Sequence, residues 1–229
     1  MQDTLIVIPA KNEAATIAGV IAEVRAATAM PLLLVDDGSV DDTAEIARTA
    51  GAIVLSPPLH LGAWGAIQTG LRYARERGYR RVITLDADGQ HEARWLPDLL
   101  VVLDDDTADL VIGAFPERGS AARQIAWMLF RRLTGLSLGD LTSGFRGYNA
   151  RAIELLAGEE ATLLDYQDIG VLLLARSAKL RIAEVPVQMR IRTTGPSRIF
   201  SSWWVVAKYM FETILLCLAH WGKSGRQRI

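Results

Sequence analysis

Asp86 and Asp88 could bind a hard metal ion, and Gln90 and His91 come just after them. The two carboxylates stand one residue apart, directly after the apolar run VITL. A second acidic pair, Asp36–Asp37, follows LLLV, and Glu13 lies just past LIVIP. Carboxylates gathered on one rim repel each other unless a cation or a set of donor groups relieves them. Mg²⁺ and Mn²⁺ favour oxygen ligands, with few from the protein and the rest from phosphate. An Asp-x-Asp pair at a strand end therefore suits a metal-bound diphosphate. The same residues could instead cap a helix or close a turn, as could Asp36–Asp37 with Gly38 and Ser39.

The elements that must position these groups alternate. Strand-like runs LIVIP, LLLV, AIVL, VITL and DLVIGA (Asp109–Ala114) are separated by segments with helical spacing. Asp41–Asp42–Thr43 reads as an N-cap, and Gly51 and Gly78 read as C-terminal stops. A helix is expected near Ala93–Leu103. This rhythm predicts an α/β fold, a mostly parallel central sheet with helices on both faces. Ligands of such sheets bind at the carboxyl ends of the strands, where the acidic residues fall.

After Ala114 the rhythm changes. Ala121–Leu136 reads as an amphipathic helix carrying Arg123, Arg131 and Arg132. Helices near Ala150–Ala157 and Asp168–Arg176 and a strand within LRIAEVPV follow. Phe200–Trp221 is long enough to span a bilayer, which takes roughly 20 residues. Yet Lys208 and Glu212 sit in its middle, and charges there are costly in lipid. An interfacial helix with Trp203, Trp204 and Trp221 at the boundary and a basic tail fits better; a core or dimer-interface helix fits equally. The chain is thus divided into a domain at 1–199 and a C-terminal amphipathic helix and tail at 200–229.

Composition removes some functions. The chain has 229 residues, half of them apolar, and a formal net charge of −1, so no global field favours nucleic acid. Cys217 is the single cysteine, so no internal disulfide forms. MQDTLIVIPAKNE lacks the basic start and long apolar run of a signal peptide, which makes a cytoplasmic location the expectation. The first strand leads into PAKNE rather than G-x-G-x-x-G, against a dinucleotide-dependent oxidoreductase.

Six segments in order carry a resemblance: IPAKNE (Ile8–Glu13), VDDGSVDDT (Val35–Thr43), GAIQTGLRYA (Gly65–Ala74), LDADGQH (Leu85–His91), DLTSGFRGYN (Asp140–Asn149) and VPVQMRIRTTGPSR (Val185–Arg198). Over Thr4–Arg198 the chain resembles the family 2 inverting glycosyltransferases of GT-A fold. Within them it is most similar to the dolichyl/polyprenyl-phosphate mannosyl- and glucosyltransferase branch.

The resemblance implies roles. Pro9, Lys11, Glu13, Asp36, Asp37, Ser39, Gly65, Asp86 and Ala87 would bind a GDP- or UDP-linked sugar donor. Asp86, Asp88 and Gln90 would hold Mg²⁺ or Mn²⁺. Ser143, Gly144, Phe145 and Arg146 would line the acceptor side, and Arg192, Ser197 and Arg198 would clamp a phosphate. Asp88, Asp140 and Asp168 are the catalytic candidates, with Asp165 a neighbour of the last. Arg123, Arg146, Arg192 and Arg198 would steer an anionic acceptor. The expected reaction is sugar transfer to a polyprenyl phosphate at the cytoplasmic membrane face, by a peripheral protein for which a homodimer is one expected assembly. Two alternatives stand: a family 2 enzyme with a saccharide or other soluble acceptor, and a non-catalytic nucleotide-sugar-binding protein. The chain departs from the pattern at His60, where an Asn is usual, and at Trp64, where a small residue is usual. His60 reads either as a change in the donor pocket or as a satisfied loop histidine, and Trp64 as core packing.

Overall fold

A computed structural model describes residues 3–118, 128, 131, 138–164 and 169–190. Among these, seven strands form one sheet: β1 (Thr4–Ala10), β2 (Leu32–Asp36), β3 (Ile53–Leu55), β4 (Arg81–Thr84), β5 (Leu110–Ala114), β6 (Arg146–Asn149) and β7 (Ile182–Pro186). The helices are α1 (Ile17–Ala27), α2 (Thr43–Thr49), α3 (Gly62–Glu76), α4 (Leu96–Asp104), α5 (Ala150–Leu156) and α6 (Ile169–Ser177). The sheet order is β3-β2-β1-β4-β6-β5-β7. Strands β1 to β4 run parallel, β6 is antiparallel to both β4 and β5, and β7 is parallel to β5.

Burial on both faces explains the near-continuous apolar strands. Along β1, Leu5 and Val7 enter one core while Ile6 and Ile8 enter the other, as alternation in a strand requires. The first core holds α3, α5 and α6; the second holds α1 and α4. Helix α3 buries Trp64, Ile67, Leu71 and Ala74, spaced three or four apart so that they share one face. Gly70 lets that face approach β1, because a Cβ there would run into Val7 Cγ1.

The expected helix near Ala93–Leu103 begins as a 3₁₀ turn over Ala93–Trp95 and continues as α4, with Pro97 in its first turn. At α2 the capping role falls to Asp41, whose Oδ1 accepts from Thr43 N at 3.1 Å, while Asp42 makes no side-chain cap. Trp64 is 2% exposed and donates Nε1–H to Ala161 O at 2.7 Å, which confirms core packing. Strand β6 was not anticipated, since DLTSGFRGYN was read only as a motif. Of the expected helix Ala121–Leu136, Met128 and Arg131 are described, and both are helical. The expected domain 200–229 lies outside the described residues. No helix among the described residues is long and apolar enough to cross a membrane.

Candidate active site

The acidic groups meet at the carboxyl ends of β1, β2 and β4. Asp37 N donates to Ala10 O at 2.8 Å, which joins the ends of β1 and β2. Between them Asn12 takes the left-handed conformation, φ 53°. It fits because its backbone N–H donates to Ser39 Oγ at 2.9 Å and its Oδ1 accepts from Val40 N at 2.8 Å. Glu13 N donates to Thr43 Oγ1 at 2.8 Å. Thr16 ties this loop to the next, donating Oγ1–H to Ala87 O at 2.8 Å. Pro9, Lys11 and Glu13 are half-buried here, and Ala87 is buried.

Asp36 and Asp37 are both buried. Asp36 Oδ1 accepts from Ser39 N at 3.2 Å. Asp37 has both oxygens engaged: Oδ1 by Leu61 N at 2.6 Å and Oδ2 by His60 Nδ1 at 2.6 Å. His60 is therefore a partnered loop histidine, held beside a residue expected at the donor. Gly65 sits in the first turn of α3, where a Cβ would meet Leu61 Cβ at 2.6 Å. The glycine keeps that loop close to the helix.

The Asp86–Asp88 loop leaves β4 and turns sharply. Gly89 has φ 76°, and Asp88 Oδ1 accepts from Gln90 N at 3.1 Å. The Asp86 side chain is 36% exposed. His91 Nδ1 accepts the Asp86 backbone N–H at 3.0 Å. Gln90 Nε2 donates to Arg190 O at 3.2 Å, and Arg190 N donates to Gln90 O at 2.9 Å. Arg190 is anchored in turn by Glu23, Nη1 to Oε2 at 2.7 Å.

These residues fit a divalent cation of the diphosphate-binding kind. Asp86, Asp88 and Gln90 offer oxygen donors on a partly open rim. No three acidic, histidine or cysteine side chains among the described residues group to hold an ion alone. Such a site leaves positions for phosphate oxygens and water.

The segment 143–146 abuts this loop. Thr84 Oγ1 donates to Gly144 O at 2.7 Å. A Cβ on Gly144 would lie 2.5 Å from Asp86 Oδ1 and 2.8 Å from Oδ2, so the glycine forms the floor beneath that carboxylate. Ser143 is buried, and its Oγ accepts from Phe145 N at 3.2 Å. Arg146 is fully buried; Nε donates to Ser143 O at 2.8 Å and Nη2 to Leu141 O at 3.0 Å. From that position it braces the segment 141–146 and is shielded from solvent.

Asp140 is also fully buried. Its Oδ1 accepts from Thr142 N at 3.1 Å and its Oδ2 from Phe115 N at 3.3 Å. Glu184 of β7 accepts from Gly139 N and Asp140 N, both at distances near 2.9 Å. A carboxylate so enclosed braces the loop that carries it. Asp165, Asp168, Arg123, Arg192, Ser197 and Arg198 lie outside the described residues. Sequence reasoning passed over His91 as a site residue, although its position in LDADGQH was a signal.

Far from this rim, Asp109 closes the opposite end of the sheet. Burial pushes its carboxyl up, but Arg181, Asn149 and Arg151 outweigh that and bring it down to about 2. Arg181 N donates to Asp109 Oδ2 at 2.7 Å, and Asn149 Nδ2 to Oδ1 at 2.9 Å.

A mostly parallel sheet with the antiparallel β6 beside β4, and an acidic rim at its open end, is the arrangement expected of a GT-A fold. The chain belongs to glycosyl transferase family 2, whose family model matches residues 5–156. It is 34% identical to the undecaprenyl-phosphate mannosyltransferase of Micrococcus luteus over 218 residues, 85% of this chain and 86% of that protein. It is 28% identical to the polyprenol monophosphomannose synthase of Mycolicibacterium smegmatis, over 98% of this chain and 89% of that one. In fold it is similar to glucosyl-3-phosphoglycerate synthase of Mycobacterium tuberculosis, solved with Mn²⁺, uridine-diphosphate and phosphoglyceric acid. That likeness has a TM-score of 0.73 at 23% identity, over 95% of this chain and 78% of that chain.

Proposed function

We propose that this enzyme moves a sugar, with inversion, from a GDP- or UDP-linked donor to a polyprenyl phosphate at the cytoplasmic membrane face. The observation that carries the reading is the 34% identity to an undecaprenyl-phosphate mannosyltransferase across 85% of the chain.

In this reading Glu13, Asp36 and Asp37 form the nucleoside end of the donor site, with His60 fixing the Asp37 carboxylate. Asp86 and Asp88, with Gln90, hold Mg²⁺ or Mn²⁺. A divalent cation there supplies charge neutralisation for the leaving diphosphate and a template for its oxygens. The acceptor phosphate is already an anion, so its oxygen attacks the anomeric carbon without a strong base. The enclosure of Asp140 agrees with that economy, because no proton has to be removed. Arg192, Ser197 and Arg198 bind the acceptor phosphate, for which a guanidinium can donate two bonds. The apolar and basic residues of segments 121–136 and 200–221 suit a membrane surface that carries the acceptor.

The test is transfer from GDP-mannose, UDP-glucose and UDP-N-acetylglucosamine to undecaprenyl phosphate in vesicles, with and without Mn²⁺, for wild type and Asp88→Ala. Metal-dependent glycolipid formation, lost in Asp88→Ala, is expected. Transfer to soluble saccharides in the absence of lipid would overturn the acceptor assignment. Turnover retained by Asp88→Ala would overturn the metal assignment.

A further inference from the structure

His91 holds the Asp86 backbone and faces its carboxylate. It is 4% exposed, and its Nδ1 accepts the Asp86 backbone N–H. An acceptor at Nδ1 places the ring proton on Nε2 in the neutral imidazole. That Nε2 lies 3.7 Å from Asp86 Oδ2, just beyond direct hydrogen-bond reach. Catalytic hydrogen bonds are often long before ligands bind and shorten afterwards. The ring plane is held by Phe145, stacked at a centroid distance of 5.3 Å and an interplanar angle of 22°. The His91 backbone is held by a bridge to Met189. Gly144 lies against the same Asp86 carboxylate.

We propose that His91 is a positioning residue: through Nδ1 and Nε2–H it orients the Asp86 carboxylate for the divalent cation. The proposal rests on the metal-bound donor reading above. Ligating carboxylates are themselves hydrogen-bonded, and losing such a partner costs roughly 10- to 100-fold in metal affinity or activity.

Three variants separate orientation from packing. His91→Phe keeps the stack on Phe145 and loses both nitrogens. His91→Asn keeps an acceptor for the Asp86 N–H and loses the group facing the carboxylate. His91→Gln carries an amide N–H toward the carboxylate. The probe is the Mn²⁺ concentration that half-saturates the thermal shift with UDP or GDP, whichever stabilises the wild type. Each variant is referred to its own metal-free melting temperature, and the EPR spectrum of bound Mn²⁺ is recorded in parallel.

His91→Asn and His91→Phe are expected to need about tenfold more Mn²⁺. His91→Gln should recover part of that loss. A folded His91→Asn that matches the wild type in Mn²⁺ requirement and EPR spectrum would overturn the proposal. If His91→Asn and His91→Phe fail to fold, a His91→Gln as weak as Asp88→Ala would overturn it. If instead Asp88→Ala leaves Mn²⁺ binding unchanged, the metal reading itself has failed, and the proposal falls with it.

Discussion

Gly144→Ala inserts one methyl group directly beneath the first carboxylate of the Asp-x-Asp pair. The new Cβ would lie 2.5 Å from Asp86 Oδ1, 2.8 Å from Oδ2 and 2.9 Å from Cγ. A relaxed carbon–oxygen contact needs about 3.3–3.6 Å. The carboxylate must therefore retreat by about 1 Å or leave its rotamer. An off-rotamer torsion costs about 0.5–1.5 kcal/mol, small against a total stability of about 5–15 kcal/mol. The fold survives, and the melting temperature falls by only about 2–4 °C for each kcal/mol in a chain of this size. The site suffers more, because a misplacement near 1 Å can cost about 100-fold in rate. The assay is kcat/KM for glycolipid formation together with the Mn²⁺ requirement. A loss of about 10- to 100-fold in both is expected. Gly147→Ala is the control: its Cβ would meet Leu103 Cδ1 at 2.9 Å, a core contact, and the substitution should lower stability without changing the Mn²⁺ requirement. A folded Gly144→Ala enzyme with wild-type kcat/KM and Mn²⁺ requirement would refute the claim that Gly144 seats Asp86.

Two further outcomes concern the frame. Gly70→Ala should destabilise by about 1–3 kcal/mol in denaturant titration, the usual range for overpacking a dense core. The new methyl would press on Val7, which is fully buried in β1; an unchanged midpoint would show that α3 shifts freely. Asp109 should make the protein acid-sensitive in one window. Its folded carboxyl titrates near about 2, below the unfolded value of about 3.9, so its stabilisation is complete above about pH 4 and fades as pH falls through about 2. Asp109→Asn should flatten that part of the stability–pH curve, measured by urea unfolding; a curve that stays parallel to wild type would show that Asp109 is not the responsible group.

Strong local signals made much of the fold legible. Strands buried on both faces must be apolar throughout, so LIVIP, LLLV and VITL stand out, and α3 shows its core face in the spacing of Trp64, Ile67 and Leu71. Asp36, Asp37, Asp86 and Asp88 could be placed at strand ends because the apolar runs stop there. The roles of Arg146 and Asp140 could not be read this way. Their types suggested phosphate and proton chemistry, but type does not reveal whether a side chain turns inward.

The sequence by itself determined the alternation of strands and helices, the acidic rim and the family, because all of these rest on local periodicity and ordered short motifs. Tertiary structure decided which polar groups are spent on the frame. Strand β6 is four residues long with a glycine inside it, too short for periodicity to mark. Only its pairing with β4 and β5 makes it a strand, and that pairing brings Gly144 under Asp86 and Phe145 against His91. Asp140 is enclosed by donors from positions 115 and 142, and Arg146 by the carbonyls of Leu141 and Ser143. Which donors reach a buried charge is fixed by how the loops close around it, and that closure leaves no mark in residue spacing.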